Sequence, residues 1–371
     1  MANRREFLAA SLATAVALGL SSTVLAKASK PLKILVLGGT GFLGPHFVEA
    51  ARARGHVLTL FNRGKTNPGL FPDIEKLQGD RKTDLKALEG RHWDAVLDTS
   101  AYIPADVTRS AGLLSKNVDH YLIVSTISVY AKLDKPGMDE DSPLAELADP
   151  TVDKVSNDTY GGLKALCEAA AYEGFEDACL VSRPGLLVGP FDPTGRFTWW
   201  VQRFVRADSG DDDETEVLAP GDPATPVQFI DARDAAAWML HQAEAGHRGT
   251  CNLTGPENPA TMGELLATAR DTLAPTSELL WVDEAFLLEQ GVAPWSDLPV
   301  WLPLAQSGVH RVDITRALDT GLQCRPWAQT LRDTAAWAAT ATPPAPGGPL
   351  RPPVGLAPER EANLRAAWRA R

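Results

Sequence analysis

The sequence predicts an α/β protein: a doubly wound parallel sheet with a smaller C-terminal α/β part expected to bind substrate. Three observations predict it. From Lys33 onward, short apolar runs alternate with helical patterns, and near-continuous apolar strands belong to a parallel sheet covered on both faces. The first run, Ile34-Leu35-Val36-Leu37, leads straight into Gly38-Gly39-Thr40-Gly41-Phe42-Leu43-Gly44. A glycine turn between strand and helix lets backbone N–H groups approach a pyrophosphate at the helix N-terminus, as in a Rossmann-type fold. Far downstream, Tyr160-Gly161-Gly162-Leu163-Lys164 sets a phenol and an ammonium four residues apart on one helix face. A cation beside a phenol favours the phenolate, so Tyr160 is expected to move protons near neutral pH. A dinucleotide site with a tuned tyrosine suggests hydride chemistry.

The elements follow in order. Residues 34–37 read as a buried strand and 42–54 as the helix behind it. Residues 57–61 are the second strand, and the run 76–79 leads to Asp80-Arg81. Residues 95–98 form a further strand, followed by a helix around 107–115 and a strand at 121–124. After a long loop come a helix over 160–172 and a strand over 178–181, so that 31–184 is the expected dinucleotide-binding domain. Beyond Arg183-Pro184 the pattern changes, and 185–340 is the expected substrate-binding part. Within it, 227–240 reads as a strand entering a helix that returns to the first domain. Trp199, Trp200, Trp295 and Trp301 suit either a pocket lining or core packing. The acidic run 208–216 reads as a solvated loop; a weak calcium site would need fixed oxygen geometry that a flexible run does not supply. Thr261 is the expected N-cap of a helix over 261–272. Residues 343–353 form a Pro/Gly-rich linker, and 359–371 a terminal helix expected on the surface.

Charge and cysteine usage narrow the function classes. A formal net charge of −11 argues against nonspecific nucleic-acid binding, which needs clustered Lys and Arg. Cys167, Cys179, Cys251 and Cys324 are scattered, with no CxxC pair and no His at metal-ligand spacing, so no metal site is expected. They read as buried free thiols, with one opportunistic disulfide as the alternative. At the N-terminus, Asn3-Arg4-Arg5-Glu6-Phe7-Leu8 precedes a weakly apolar stretch ending at Val24-Leu25-Ala26. This resembles a removable twin-arginine export signal over residues 1–28. The alternative is an uncleaved membrane anchor, but the run is short and weakly hydrophobic for a span, so no stable insertion is expected after cleavage. Export by that route moves folded proteins to the periplasm or another extracytoplasmic space, where free nicotinamide cofactor is scarce. An enzyme there should hold its cofactor tightly and regenerate it within each turnover.

Together the glycine turn, Ser125-Thr126-Ile127-Ser128-Val129-Tyr130, the Tyr160/Lys164 pair and Arg183-Pro184-Gly185-Leu186-Leu187-Val188-Gly189-Pro190 resemble the extended short-chain dehydrogenase/reductase group, the NAD(P)-dependent epimerase/dehydratase family. The likeness runs from about Lys33 to about Trp337. It implies that Tyr160 is the acid/base, that Lys164 lowers its pKa and binds the nicotinamide ribose, and that Thr126 hydrogen-bonds the reacting oxygen. It further implies cofactor contacts from Gly38, Thr40, Gly41, Phe42, Leu43, Gly44, Asp80, Arg81, Ser100, Ser125 and Pro184, and substrate contacts from Ser128 and Arg196. At the end of the second strand the stretch is Phe61-Asn62-Arg63-Gly64-Lys65, without the acid that NAD-preferring members carry. Asn62, Arg63 and Lys65 therefore read as cofactor contacts that favour NADP, with NAD as the alternative, because Arg63 suits a 2′-phosphate.

The implied activity is hydride transfer on a hydroxyl- or carbonyl-bearing small molecule, with a sugar derivative as one candidate. An NADPH-dependent ketone or steroid-type reductase is the second reading, and a non-catalytic NADP-binding scaffold or sensor the third. The stretch around Arg63 also resembles a subgroup that includes plant chloroplast proteins with reported RNA association, but the intact Tyr160 and Lys164 and the acidity oppose a nucleic-acid partner. The family often dimerises through a four-helix interface that would include the helix after Tyr160, which makes a homodimer one candidate assembly and leaves the oligomeric state open.

Overall fold

The computed structural model describes residues 28, 30–209, 212–341 and 353–371. The expected export signal, apart from Ala28, lies outside the described residues, as does the Pro/Gly-rich linker except for Pro353.

Seven parallel strands form the main sheet: β1 (Lys33–Leu37), β2 (Val57–Asn62), β3 (Glu75–Gln78), β4 (Ala95–Asp98), β5 (Tyr121–Val124), β6 (Cys179–Pro184) and β11 (Gly249–Leu253). Their spatial order is β3-β2-β1-β4-β5-β6-β11. The order reverses between β1 and β4, which opens a crevice at the carboxyl ends of these strands, where ligands of such sheets bind. In β1, Ile34 to Leu37 are fully buried because helices cover both faces. On one face lie α1 (Leu43–Ala53) and α6 (Ala232–Ala245), which join Phe47, Val48 and Ala51 to Trp238 and Met239 in one apolar cluster. On the other lie α2 (Pro104–Leu114) and α3 (Asn157–Phe175), where Phe175 stacks on Tyr121 at 3.9 Å between centroids.

More of the later chain returns to this sheet than residues 227–240. Strand β11, which sequence periodicity did not single out, pairs with β6, and Ile314, Ala317 and Leu322 join the cluster under α1 and α6. The other elements build a second core: β7 (Leu186–Val188), α4 (Arg196–Ala207), α5 (Asp212–Thr215), β8 (Glu216–Pro220), β9 (Pro226–Val227), β12 (Ala260–Thr261), α7 (Met262–Leu273), β13 (Glu278–Val282), α8 (Glu284–Glu289), α10 (Trp327–Ala338) and α11 (Pro358–Arg369). Strand β10 (Phe229–Asp231) is shared, Phe229 facing this core and Ile230 the first, and α9 (Thr315–Asp319), with Ala317, belongs to the first. Strands β7 and β10, and β8 and β13, pair in parallel. Thr261 caps α7 in a full capping box with Glu264.

The structure decides one open alternative and changes one expectation. Trp199, Trp200 and Trp301 are core residues, not pocket walls: all three sit in the second apolar cluster, and the Trp200 indole donates to Pro299 O at 2.5 Å. The terminal helix is more than surface decoration. Its Glu361 is buried and takes both oxygens to Nε of the fully buried Arg203 at 2.8 Å, and Leu364 completes the same core.

Candidate active site

The glycine turn sits at the carboxyl end of β1, beside the switch point. Gly38 and Gly39 take φ of +113° and +87°, a region that side chains avoid. A Cβ on Gly44 would lie 2.6 Å from Gly39 Cα, so this glycine is what lets α1 approach the turn. A Cβ on Gly41 would meet nothing within 4 Å and would project into open space over the turn. Helix α1 starts with no side-chain cap and no acid in its first turn. A cradle that any side chain would fill, at a helix start that leaves its N–H groups to an anion, fits a dinucleotide pyrophosphate. Thr40 and Leu43 are buried in the turn and Phe42 is half-buried at the helix start. Asn62 braces the turn from below: its Nδ2 donates to Gly38 O at 2.9 Å, and its Oδ1 accepts from Gly64 N. Asn62 therefore shapes the cradle, while Arg63 and Lys65 stand exposed at the end of β2.

Tyr160, Thr126 and Lys164 converge at the carboxyl ends of β4 and β5. Ser156 and Thr159 form a capping box that starts α3, placing Tyr160 in its first turn. A Cβ on Gly161 would lie 2.2 Å from Ser128 O, so Gly161 is required for α3 to press against the segment that carries Thr126. Thr126 is extended and caps the short turn Ile127–Val129, accepting from Ser128 N at 3.2 Å and donating to Ser128 Oγ at 3.2 Å. Burial pushes the Tyr160 phenol well above its ordinary value, Tyr102 pushes it the same way, and a hydrogen bond with Thr126 opposes them. The expected help from Lys164 is not part of this balance. Its Nζ donates at 2.6 Å to both Ala101 O and Val124 O, and burial lowers its own pKa. Two carbonyls at the strand ends compete for the ammonium that the spacing in α3 had aimed at the phenol.

The other expected residues divide. Ser125 donates to Glu168, which in turn binds Arg183 at 2.7 Å, so Ser125 belongs to a buried network that also takes in Tyr130 and Asn252. Arg81 bonds Asp98 at 2.8 Å, Ser100 at 3.1 Å and Ser110 at 3.1 Å, and it holds the fully buried Asp98 carboxyl below its usual range against the effect of burial. Arg81 and Ser100 thus tie the β3 and β4 loops together. Asp80 is half-buried and accepts from Lys82 N at 3.0 Å. Pro184 is buried at the end of β6, in register with Leu253. Arg196 opens α4, with its guanidinium 5.5 Å over the Trp295 ring. Beside it, burial raises the Asp192 carboxyl to about 6. The loop that carries Asp192 lies on α1, where His46 Nε2 bonds Pro190 O at 2.9 Å. Phe191 in that loop holds φ +68°, a strained conformation for an aromatic residue and a pointer to a functional loop.

Tyr102, Asp192 and Gly161 were missed in the sequence. Gly161 did leave a signal, since two adjacent glycines inside a helix cost stability without a packing reason. Tyr102 and Asp192 left none, being single residues on irregular loops. Among the described residues, no group of three or more His, Cys, Asp or Glu could hold a metal ion, the four cysteines are free, and no helix is long and apolar enough to cross a membrane.

The family model described as "NAD dependent epimerase/dehydratase family" matches residues 34–253. The Arabidopsis thaliana "Chloroplast stem-loop binding protein of 41 kDa b" is 33% identical over 132 residues, which cover 31% of this chain and about a third, 35%, of that protein. Among solved structures, the Bordetella bronchiseptica enzyme WbmG, in complex with NAD and UDP, superposes with a TM-score of 0.61 at 16% identity, covering 87% of this chain and 96% of that one. The UDP-N-acetylglucosamine 4-epimerase of Bacillus cereus superposes with a TM-score of 0.59 at 19% identity, covering 86% and 99%. At these identities the structural likeness establishes the fold.

Proposed function

The chain belongs to the NAD dependent epimerase/dehydratase family, and from that premise we propose that it is an oxidoreductase holding a nicotinamide dinucleotide tightly and acting on a hydroxyl- or carbonyl-bearing small molecule. The observation that carries this reading is the convergence of Tyr160, Thr126 and Lys164 beside the glycine turn at the reversal of strand order. The turn at Gly38, Gly41 and Gly44 and the N-terminus of α1 would hold the pyrophosphate, and Lys164 the nicotinamide ribose. When bound, the nicotinamide supplies the hydride acceptor or donor. The protein's part is orientation and proton movement. Tyr160, with its raised proton affinity, starts as a phenol and donates its proton at the substrate oxygen; in the reverse direction the same oxygen takes the proton back. Thr126 fixes that oxygen by a second hydrogen bond.

A sugar derivative is the substrate class we favour, because structurally similar enzymes are named for UDP-sugars. The exposed Arg63 and Lys65 support NADP as the cofactor. The twin-arginine start supports export, and with it a cofactor that is regenerated in place.

The test is mass spectrometry of small molecules released by denaturing the exported protein, with Tyr160→Phe alongside. Stoichiometric dinucleotide, and a variant slowed about 10²- to 10⁴-fold that keeps it, is the expected result. A fully active Tyr160→Phe would sink the acid/base assignment. An empty site with weak binding would favour a reductase fed by external NADPH.

A further inference from the structure

We propose that Tyr102 is a positioning residue for the Tyr160–Lys164 pair: its ring seats the Lys164 ammonium and stands beside the Tyr160 ring. The inference rests on the reading of that pair as acid/base and ribose holder. Tyr102 follows β4, one residue after Ala101, whose carbonyl takes a hydrogen bond from Lys164. The Lys164 Nζ lies 5.5 Å from the Tyr102 ring centroid, within cation–π range. The Tyr102 and Tyr160 ring centroids are 6.5 Å apart and tilted by 36°.

The arrangement has a physical reason. A buried ammonium carries three N–H donors and must satisfy them. Two go to Ala101 O and Val124 O. The electron-rich face of Tyr102 lies against the same charge and offsets part of the burial that works against it. One loop therefore fixes Lys164 through both a carbonyl and a ring. The same residue acts on Tyr160. The groups around that phenol are the Tyr102 ring from the loop after β4, Thr126 from the end of β5 and Cys167 from α3 itself, with Lys164 one helical turn further on; burial keeps the phenol protonated and the hydrogen bond with Thr126 opposes it. Tyr102 itself is 43% exposed.

Two variants of the full chain separate the ring from its phenol, and two readouts separate its two roles. Tyr102→Phe keeps the ring and removes the phenol; Tyr102→Leu removes both. Carbon-13 NMR of ε-labelled lysine, with Lys164→Arg to assign the signal, follows the ammonium directly. In Tyr102→Phe the Lys164 signal should titrate as in the parent. In Tyr102→Leu it should titrate at lower pH, and dinucleotide binding by calorimetry should weaken about fivefold, the size of one cation–π contact. Tyr102→Leu should also shift the pH profile of turnover to lower pH, because a smaller side chain beside the Tyr160 ring admits water and relieves the burial that raises the phenol, while Tyr102→Phe should leave the profile unchanged. An unmoved Lys164 titration in Tyr102→Leu overturns the seat, and an unmoved pH profile in Tyr102→Leu overturns the link to Tyr160. A fully active Tyr160→Phe would instead sink the acid/base reading and leave the Lys164 result standing. Since Tyr102 is partly exposed, both variants should fold, which far-UV circular dichroism checks.

Discussion

Asp192→Asn should raise stability at neutral pH while harming the site. The Asp192 carboxyl is 1% exposed, its Oδ1 accepts from Thr194 N at 2.8 Å, and its Oδ2 has no partner among the described residues. Burial lifts its pKa from 3.8 to about 6. Between those values the folded protein binds a proton that the unfolded chain has released. Stability therefore falls as pH rises through that window and levels off above it. At about 1.4 kcal/mol per pH unit, the ionised carboxylate costs up to about 3 kcal/mol at neutral pH. Asparagine keeps the acceptor for Thr194 and does not titrate. Urea unfolding of parent and variant at about pH 4 and about pH 7.5 cancels the pH-independent cost of the substitution. The stability difference between the two proteins should change by about 2 kcal/mol, in favour of the variant at the higher pH, since the unfolded carboxyl is already more than half ionised at about pH 4. A difference that stays flat would show that Asp192 ionises in the folded protein as it does in the unfolded chain, and would refute the argument. A carboxylate kept at such a cost has a task, and here its charge offsets part of the burial that works against the Arg196 guanidinium. The stabilised variant should thus lose kcat/KM.

The glycine turn offers a paired test. Gly44→Ala should lower Tm, because its Cβ would press on the Gly39 backbone, with a cost of about 1–3 kcal/mol; Gly41→Val should leave Tm unchanged yet weaken dinucleotide binding at least about tenfold, as its side chain fills the cradle. Equal effects of the two on Tm would remove the distinction. Glu361→Ala should cost about 3 kcal/mol in chemical denaturation, because it removes the closer of the two carboxylates paired with the fully buried Arg203 and leaves only Glu214 at 3.3 Å; a loss below about 1 kcal/mol would make α11 an appendage. Arg63→Glu should weaken NADP binding about tenfold or more while sparing NAD, read by calorimetry with each dinucleotide. Equal losses for both would refute the 2′-phosphate role.

Much of the dinucleotide half was legible because its signals are local. A strand that is apolar on both faces, a turn that only glycine can make and a helix that follows within a few residues are all written in adjacent positions, as in 34–54. Tyr160 and Lys164 were legible for the same reason, since four residues of helix put them on one face. What the spacing could not reveal is which acceptors compete for the ammonium. Ala101 and Val124 lie 63 and 40 residues away in sequence, and only the meeting of β4, β5 and α3 brings their carbonyls to Lys164.

The sequence by itself determined the sheet as far as β6, the glycine turn and Tyr160 and Lys164 as the candidate reacting pair, because these depend on short-range periodicity and on backbone conformations that few residues accept. The tertiary structure decided the rest. It sent Trp199, Trp200 and Trp301 to the core, turned Ser125 toward Glu168, gave Asn62 to the turn and Arg81 to Asp98, and set Tyr102 and Asp192 at the site. Each of these outcomes depends on burial and on partners distant in the chain, and burial is a property of the packed molecule that no local pattern of residues records.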